Sequence, residues 1–185
     1  VPTELAIETI FGCNAKCVMC FIDNPTGRKK TVMSMDLYRY IIDEMAPYKD
    51  HIEKFDLGAL GEPAIDPHLI ERATYAREKG FRKMAIATNV ERFDPPIQEA
   101  LMKLGMETFI LSIDATTADT SEKIRQGLDF DKIVFNAENA IKLRDKYNFN
   151  SRFIIRFILQ DTVNAHEWED FKKYWAPKLS RDKGD

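Results

Sequence analysis

Cysteine and histidine are scarce in this sequence of 185 residues, which contains three of each. No apolar run approaches the roughly 18–20 residues that a membrane-spanning helix needs, and we expect no secretory signal peptide before Val1. The formal charge is only −3 at pH 7, which gives no electrostatic reason to expect nucleic-acid binding. With 44% hydrophobic and 31% charged residues, the composition predicts an ordinary globular domain without membrane or nucleic-acid partners.

The three cysteines lie within eight residues, at Cys13, Cys17 and Cys20, with the spacing C-x3-C-x2-C. Disulfide bonds cannot use an odd number of cysteines. A structural zinc site needs four ligands, but the sequence has no second cysteine pair and no histidine near this loop. A thioredoxin-like pair of Cys17 and Cys20 leaves Cys13 unexplained. Three thiolates on one short loop instead suit three corners of a [4Fe–4S] cluster, which usually takes four cysteines, so one iron would be open to a small molecule.

Short apolar or β-branched runs alternate with longer helical patterns, which is typical of βα units and a parallel sheet. We predict five strands, at residues 5–10, 55–60, 84–88, 108–113 and 153–159, with helices between them. A closed (β/α)8 barrel needs about 250 residues. Five units therefore predict an α/β fold with an open, partial TIM barrel.

The cysteine spacing resembles the signature of the radical S-adenosylmethionine (radical SAM) enzymes, whose cores typically have six βα units. This resemblance implies that residues 1–185 form a radical SAM core, a partial barrel of about five to six parallel βα units truncated at its C-terminus. A sixth strand and any auxiliary-cluster domain would then follow Asp185. The segment Met33-Ser34-Met35 and the Cys-Asn-x-x-Cys-x-Met-Cys pattern are most similar to the branch that carries a SPASM or twitch extension.

The resemblance also implies an activity. Cys13, Cys17 and Cys20 would bind a [4Fe–4S] cluster, and reductive cleavage of SAM would give a 5′-deoxyadenosyl radical that abstracts hydrogen from an unknown peptide, protein, sugar or alcohol. Reduced flavodoxin or ferredoxin would donate the electron. Clustered reduced cysteines fit a reducing cytoplasm. A non-catalytic iron–sulfur module for electron relay and a zinc-stabilised regulatory domain are the alternatives.

The residues that follow the second predicted strand supply the first SAM-binding candidates, because ligands of parallel α/β folds lie at the carboxyl ends of strands. Gly61-Glu62-Pro63 resembles the family motif that holds the SAM ammonium. An ammonium has three donors and no acceptor, so the Glu62 carboxylate and a glycine-exposed carbonyl suit it. The alternative is a simple Gly/Pro turn after a strand.

Later strand ends supply five more candidates: Asn89, Ser112, Asp114, Arg125 and Asn164. By resemblance, Ser112 and Asp114 meet the SAM carboxylate or ribose, Arg125 holds the SAM carboxylate, and Asn164 lies near the adenine. The alternatives are that Ser112 only fills space, that Asp114 is a helix N-cap and that Arg125 forms a surface salt bridge.

Arg156 is conspicuous because it is a charge within an otherwise apolar predicted strand, where an unpaired charge is costly. It points into the barrel toward a substrate acid or forms a salt bridge at the strand edge. Met19 stands where the family commonly has an aromatic residue that touches the adenine. A thioether packs on a purine face, and Phe21 is a second candidate for that contact.

Overall fold

The computed structural model describes residues 2–22 and 29–185. Within these ranges the strands are β1 (Glu4–Ala6), β2 (Ile10–Phe11), β3 (Lys16–Cys17), β4 (Thr31–Val32), β5 (Lys54–Asp56), β6 (Met84–Thr88), β7 (Thr108–Ser112), β8 (Arg125–Gln126) and β9 (Arg152–Arg156). The α-helices are α1 (Met35–Met45), α2 (Leu69–Glu78), α3 (Pro95–Lys103), α4 (Ala118–Ile124), α5 (Phe130–Tyr147) and α6 (Trp168–Trp175). None of the helices in these ranges has both the length and the apolar character that crossing a bilayer requires.

A five-stranded sheet forms the centre of the fold, in the order β1-β5-β6-β7-β9. Every neighbouring pair in it is parallel, so all five carboxyl ends lie at the same edge. In the described part of the chain no pairing joins β9 back to β1, and the sheet is open. The predicted α/β fold with an open parallel sheet is confirmed.

The predicted strands that lead into the site end earlier than expected. β1 ends at Ala6, and Ile10–Phe11 leave the sheet to pair antiparallel with Thr31–Val32. β5 ends at Asp56, two residues before Gly58, whose φ of 147° is a conformation that other residues rarely adopt. Apolar sequence therefore continues past the strand ends, but the backbone turns over the edge of the sheet to build loops.

The core lies on one face of the sheet, under the helices. Phe109 of β7 packs between Phe93 and Phe153, with ring centroids 5.4 and 5.3 Å apart, and all three side chains are fully buried. The same apolar cluster includes Ala137 and Ile141 of α5. Because aromatic rings bury large areas, these rings contribute strongly to the stability of the sheet that carries the site.

We predict that Phe109→Ala lowers the free energy of unfolding by about 3–5 kcal/mol, since it removes a ring from a closely packed core. Urea denaturation of the chain at neutral pH measures this. The matched control is Phe135→Ala on α5, because that ring is 60% exposed and its loss should change stability by less than about 0.5 kcal/mol. Equal losses for the two variants would contradict the central position of Phe109.

Candidate functional site

A cavity of about 240 Å³ opens at the carboxyl ends of the strands. Its lining includes most of the residues predicted for the site, namely Cys13, Cys17, Cys20, Gly61, Glu62, Asn89, Ser112 and Arg125. Met19, Phe21 and Arg156 also line it. Pro63, Asp114 and Asn164 are buried but do not contribute to the lining. The fold thus brings together segments that lie more than 100 residues apart in the chain.

Two short antiparallel strands fix the cysteine loop. Lys16–Cys17 pairs with Arg125–Gln126, so that Cys17 lies opposite Arg125. Next to this pair, the backbone N–H of Val18 donates to the carbonyl of Ile124 at 3.0 Å. The loop is therefore attached to the segment that follows α4, and the position of Arg125 relative to Cys17 is set by backbone pairing.

Burial raises the pKa of the Cys13 and Cys17 thiols, and repulsion between the cysteine side chains raises it further. Nearby donors act in the opposite direction. The Arg125 guanidinium lies 3.7 Å from Cys17 Sγ, the backbone N–H of Ala15 lies 3.4 Å from Cys13 Sγ, and the Asn89 amide lies 3.6 Å from it. These donors are suited to stabilising bound thiolates, because metal binding requires the deprotonated form. No three His, Cys, Asp or Glu side chains within residues 2–22 and 29–185 are grouped to hold a single metal ion.

Gly61 brings the loop after β5 against the loop after β1. A Cβ at this position would lie 2.0 Å from the carbonyl oxygen of Ile10 and 3.0 Å from that of Gly12. The next residue, Glu62, donates its backbone N–H to the Gly12 carbonyl at 2.9 Å. Because real Cβ atoms do not approach a backbone oxygen so closely, only glycine fits this contact.

The Glu62 carboxylate is 3% exposed and is held by three donors. Its Oε1 accepts from the Thr88 hydroxyl at 2.6 Å and from the backbone N–H of Ala64 at 2.9 Å, and its Oε2 accepts from the backbone N–H of Asn89 at 2.6 Å. Burial raises the pKa of Glu62, and these donors oppose the rise. An ionised carboxylate can accept about four hydrogen bonds, so Oε2, which accepts only one, retains an acceptor position.

Three polar residues form a ring of hydrogen bonds, two between side chains and one from the backbone N–H of Glu91, that connects the cysteine loop to the end of β6. The Asn89 amide donates to Asn14 Oδ1 at 2.9 Å, the Asn14 amide donates to Glu91 Oε2 at 2.6 Å, and the Glu91 N–H donates to Asn89 Oδ1 at 3.2 Å. Asn14 belongs to the Cys-Asn-x-x-Cys pattern in the sequence, but neither its role nor Glu91 was predicted. Their hydrogen bond joins positions 77 residues apart in the chain, which a local pattern does not reveal.

Asp114 forms a buried ion pair with Arg125, and Thr117 rather than Asp114 caps α4. Asp114 Oδ2 accepts from Arg125 Nε at 2.9 Å and from a terminal guanidinium nitrogen at 2.5 Å. Its Oδ1 accepts from the backbone N–H of Ile158 at 2.6 Å. The Asn164 amide donates to the carbonyls of Asp114 and Ile158 at 2.9 and 3.0 Å. Asp114 and Asn164 thus use these groups within the protein, and their contact with SAM stays a prediction.

We predict that Asp114→Asn lowers the free energy of unfolding by about 3 kcal/mol or more, because it leaves a buried guanidinium without its counter-charge. The matched control is Asp119→Asn. Asp119 forms an exposed pair with Lys123 at 2.5 Å, and such pairs contribute at most about 1 kcal/mol. Denaturant titrations of both variants measure the difference, and equal stabilities would contradict a structural role for the Asp114–Arg125 pair.

The model of the radical SAM superfamily matches residues 7–174. The AdoMet-dependent heme synthase of Methanosarcina barkeri (strain Fusaro / DSM 804) is 31% identical over 124 residues, which are 67% of this chain and 34% of that protein. The tungsten-containing aldehyde ferredoxin oxidoreductase cofactor-modifying protein of Pyrococcus furiosus is 26% identical over 146 residues, 77% of this chain and 39% of that protein. The chain therefore spans roughly a third of the length of these relatives.

Solved structures show the same fold. Streptococcus suis SuiB bound to S-adenosylmethionine has a TM-score of 0.68 at 22% identity, covering 92% of this chain and 38% of that one. HydG, a maturase of the [FeFe]-hydrogenase, has a TM-score of 0.65 at 12% identity, covering 95% of this chain and 39% of that one. These likenesses agree with the open parallel sheet described above.

Proposed function

The chain belongs to the radical SAM superfamily of enzymes, and we propose that Cys13, Cys17 and Cys20 bind a [4Fe–4S] cluster beside a SAM site. The observation that carries this proposal is that the three cysteines and Glu62 line one cavity. The sequence has no fourth cysteine, so one iron would lack a cysteine ligand. A bound cluster would supply, once reduced, the electron for cleavage of SAM to methionine and a 5′-deoxyadenosyl radical, which would abstract hydrogen from a substrate.

Glu62 is the residue proposed to hold the SAM ammonium. Three donors fix its carboxylate, Oε2 retains an acceptor position, and Glu62 lines the cavity. A charge-assisted hydrogen bond from an ammonium would complete its set of partners and offset the cost of its burial. Gly61 allows the backbone of this loop to reach the cysteine loop.

Arg125 is the residue proposed to hold the SAM carboxylate. Of its five N–H groups, two donate to Asp114 and one donates to Cys17 Sγ. Two N–H groups are therefore left for a ligand. The pair with Asp114 fixes the guanidinium plane at the cavity wall. Ser112 and Asn89 also line the cavity and are proposed as further SAM contacts.

We assign the chain, as a proposal, to the branch with SPASM or twitch extensions and to a peptide or small-molecule substrate. The similarity to mycofactocin maturase MftC of Mycobacterium tuberculosis, 27% identical over 138 residues, and to the fold of SuiB supports this assignment. Reduced flavodoxin or ferredoxin is the proposed electron donor, and the exposed position of Cys20 would let such a donor approach the cysteine loop. Cysteine ligands must stay reduced, which favours the cytoplasm.

Anaerobic reconstitution of the chain with iron and sulfide should yield about four irons per chain. Cys17→Ala should lose most of this iron, because only two thiolates remain. Val18→Ala is the matched control, since Val18 is exposed, lies between two of the cysteines and does not line the cavity. Metal and sulfide analysis checks the outcome. One zinc without iron or sulfide would replace this proposal with a zinc-stabilised domain.

The Glu62→Gln variant should bind SAM about tenfold more weakly or worse, because an amide lacks the charge that pairs with an ammonium. Equilibrium dialysis of the reconstituted chain measures the affinity, with iron content measured in parallel. Glu99→Gln is the control, since Glu99 pairs with Lys103 on α3 and does not line the cavity.

The same preparations test catalysis. Reduction of the wild-type chain with dithionite in the presence of SAM should release methionine and 5′-deoxyadenosine. A fully occupied cluster that yields neither product with any reductant would instead favour a non-catalytic electron-relay module. Unchanged SAM affinity in Glu62→Gln would contradict the role given to Glu62.

A further inference from the structure

Among the charged residues that line the cavity, Arg156 has the fewest hydrogen-bond partners within the described part of the protein. The charged side chains that line the cavity are Glu62, Arg125 and Arg156. Glu62 accepts three hydrogen bonds, and Arg125 pairs with buried Asp114. Arg156 donates from one terminal nitrogen to the Ser112 hydroxyl at 2.5 Å. No ion pair joins it to an acidic residue in the described part of the chain, so the strand-edge salt bridge considered from sequence does not form there.

Strand geometry places Arg156 on the open face of the sheet. Along β9, Phe153 is buried in the core, whereas Arg152, Ile154 and Arg156 are exposed. Alternate residues of a strand share a face, so these three residues lie opposite the core. In the parallel pair of β7 and β9, Ser112 is the direct neighbour of Arg156. The guanidinium therefore sits over the carboxyl end of the sheet, where the cavity opens.

The chemistry of this position favours an anionic ligand. An arginine carries five N–H donors in a planar fork, and a single hydroxyl satisfies only one of them. Carboxylates match the fork with two parallel hydrogen bonds, which a point charge such as lysine does not reproduce.

The surroundings of Arg156 suit the apolar body of such a ligand. Ile158 lies two residues further along the chain, is 38% exposed and lines the cavity. Ala87 of β6 also lines it, and its small side chain leaves room in front of the sheet. An acid with an apolar body would pair its carboxylate with Arg156 and cover Ile158.

We propose that Arg156 binds a carboxylate of the substrate and thereby selects substrates that carry an acid next to an apolar group. This inference rests on the proposed function only in taking the cavity as the place where the substrate reacts. The carboxylate of SAM is the competing ligand, and the experiment separates the two.

The test is a ¹⁹F NMR titration of the reconstituted chain with 4-fluorobenzoate, an acid with an apolar ring. Arg156→Gln should weaken binding of this probe about tenfold, and Arg156→Lys should fall between wild type and Arg156→Gln. Arg152→Gln is the matched control. Arg152 is an exposed arginine on the same face of β9, but it lies four residues from Arg156, or about 13 Å along the strand. Its substitution should therefore leave binding of the probe unchanged.

Two further arms make the result specific. Neutral 4-fluorobenzamide should bind wild type about tenfold more weakly than the acid, and saturating SAM should leave binding of the acid within about twofold. Equal binding of acid and amide, or equal binding by wild type and Arg156→Gln, would overturn the proposal. Displacement of the acid by SAM would overturn it too, by assigning Arg156 to SAM. Iron content and SAM cleavage are measured separately, so a failed cluster is distinguished from a failed carboxylate site.

Discussion

The contact between Gly61 and the backbone of Ile10 and Gly12 is the constraint on which the site depends. A side chain at position 61 would overlap the Ile10 carbonyl, so the loops after β1 and β5 approach as closely as two backbones can. The hydrogen bond from the Glu62 N–H to the Gly12 carbonyl then fixes their register. As a result, Glu62 and Cys13 line the same cavity.

Shared donors extend this arrangement across the sheet. Arg125 divides its N–H groups between the Asp114 carboxylate and Cys17 Sγ, and Asn89 divides its amide between Asn14 and Cys13 Sγ. Buried charges are costly unless they are paired and hydrogen-bonded. The site meets that requirement for Glu62 and Arg125 through groups that follow or end β6 and β7, namely Thr88, Asn89 and Asp114.

Sequence predicted the parts of this arrangement that depend on local pattern. Residues 84–88 form β6 as predicted, because the strand is apolar, lies between β5 and β7 in the sheet and is buried except at Ala87. The cysteine spacing and Gly61-Glu62-Pro63 pointed to residues that do line, or directly shape, one cavity. The early end of β1 and the Asn14–Glu91 hydrogen bond depend on partners distant in the chain, which a single sequence does not reveal. For the same reason, the sequence did not reveal that Asp114 Oδ1 accepts from the Ile158 N–H or that the Asn164 amide donates to the Asp114 carbonyl.

The central claim is that three cysteines hold an iron–sulfur cluster whose remaining iron is open to SAM. Mössbauer spectroscopy of the chain reconstituted with ⁵⁷Fe, recorded with and without SAM, tests it most directly. We expect about a quarter of the iron signal to shift when SAM is added, because one iron in four gains new nitrogen and oxygen ligands. A four-iron spectrum that SAM leaves unchanged, or the absence of a cluster spectrum, would contradict the claim.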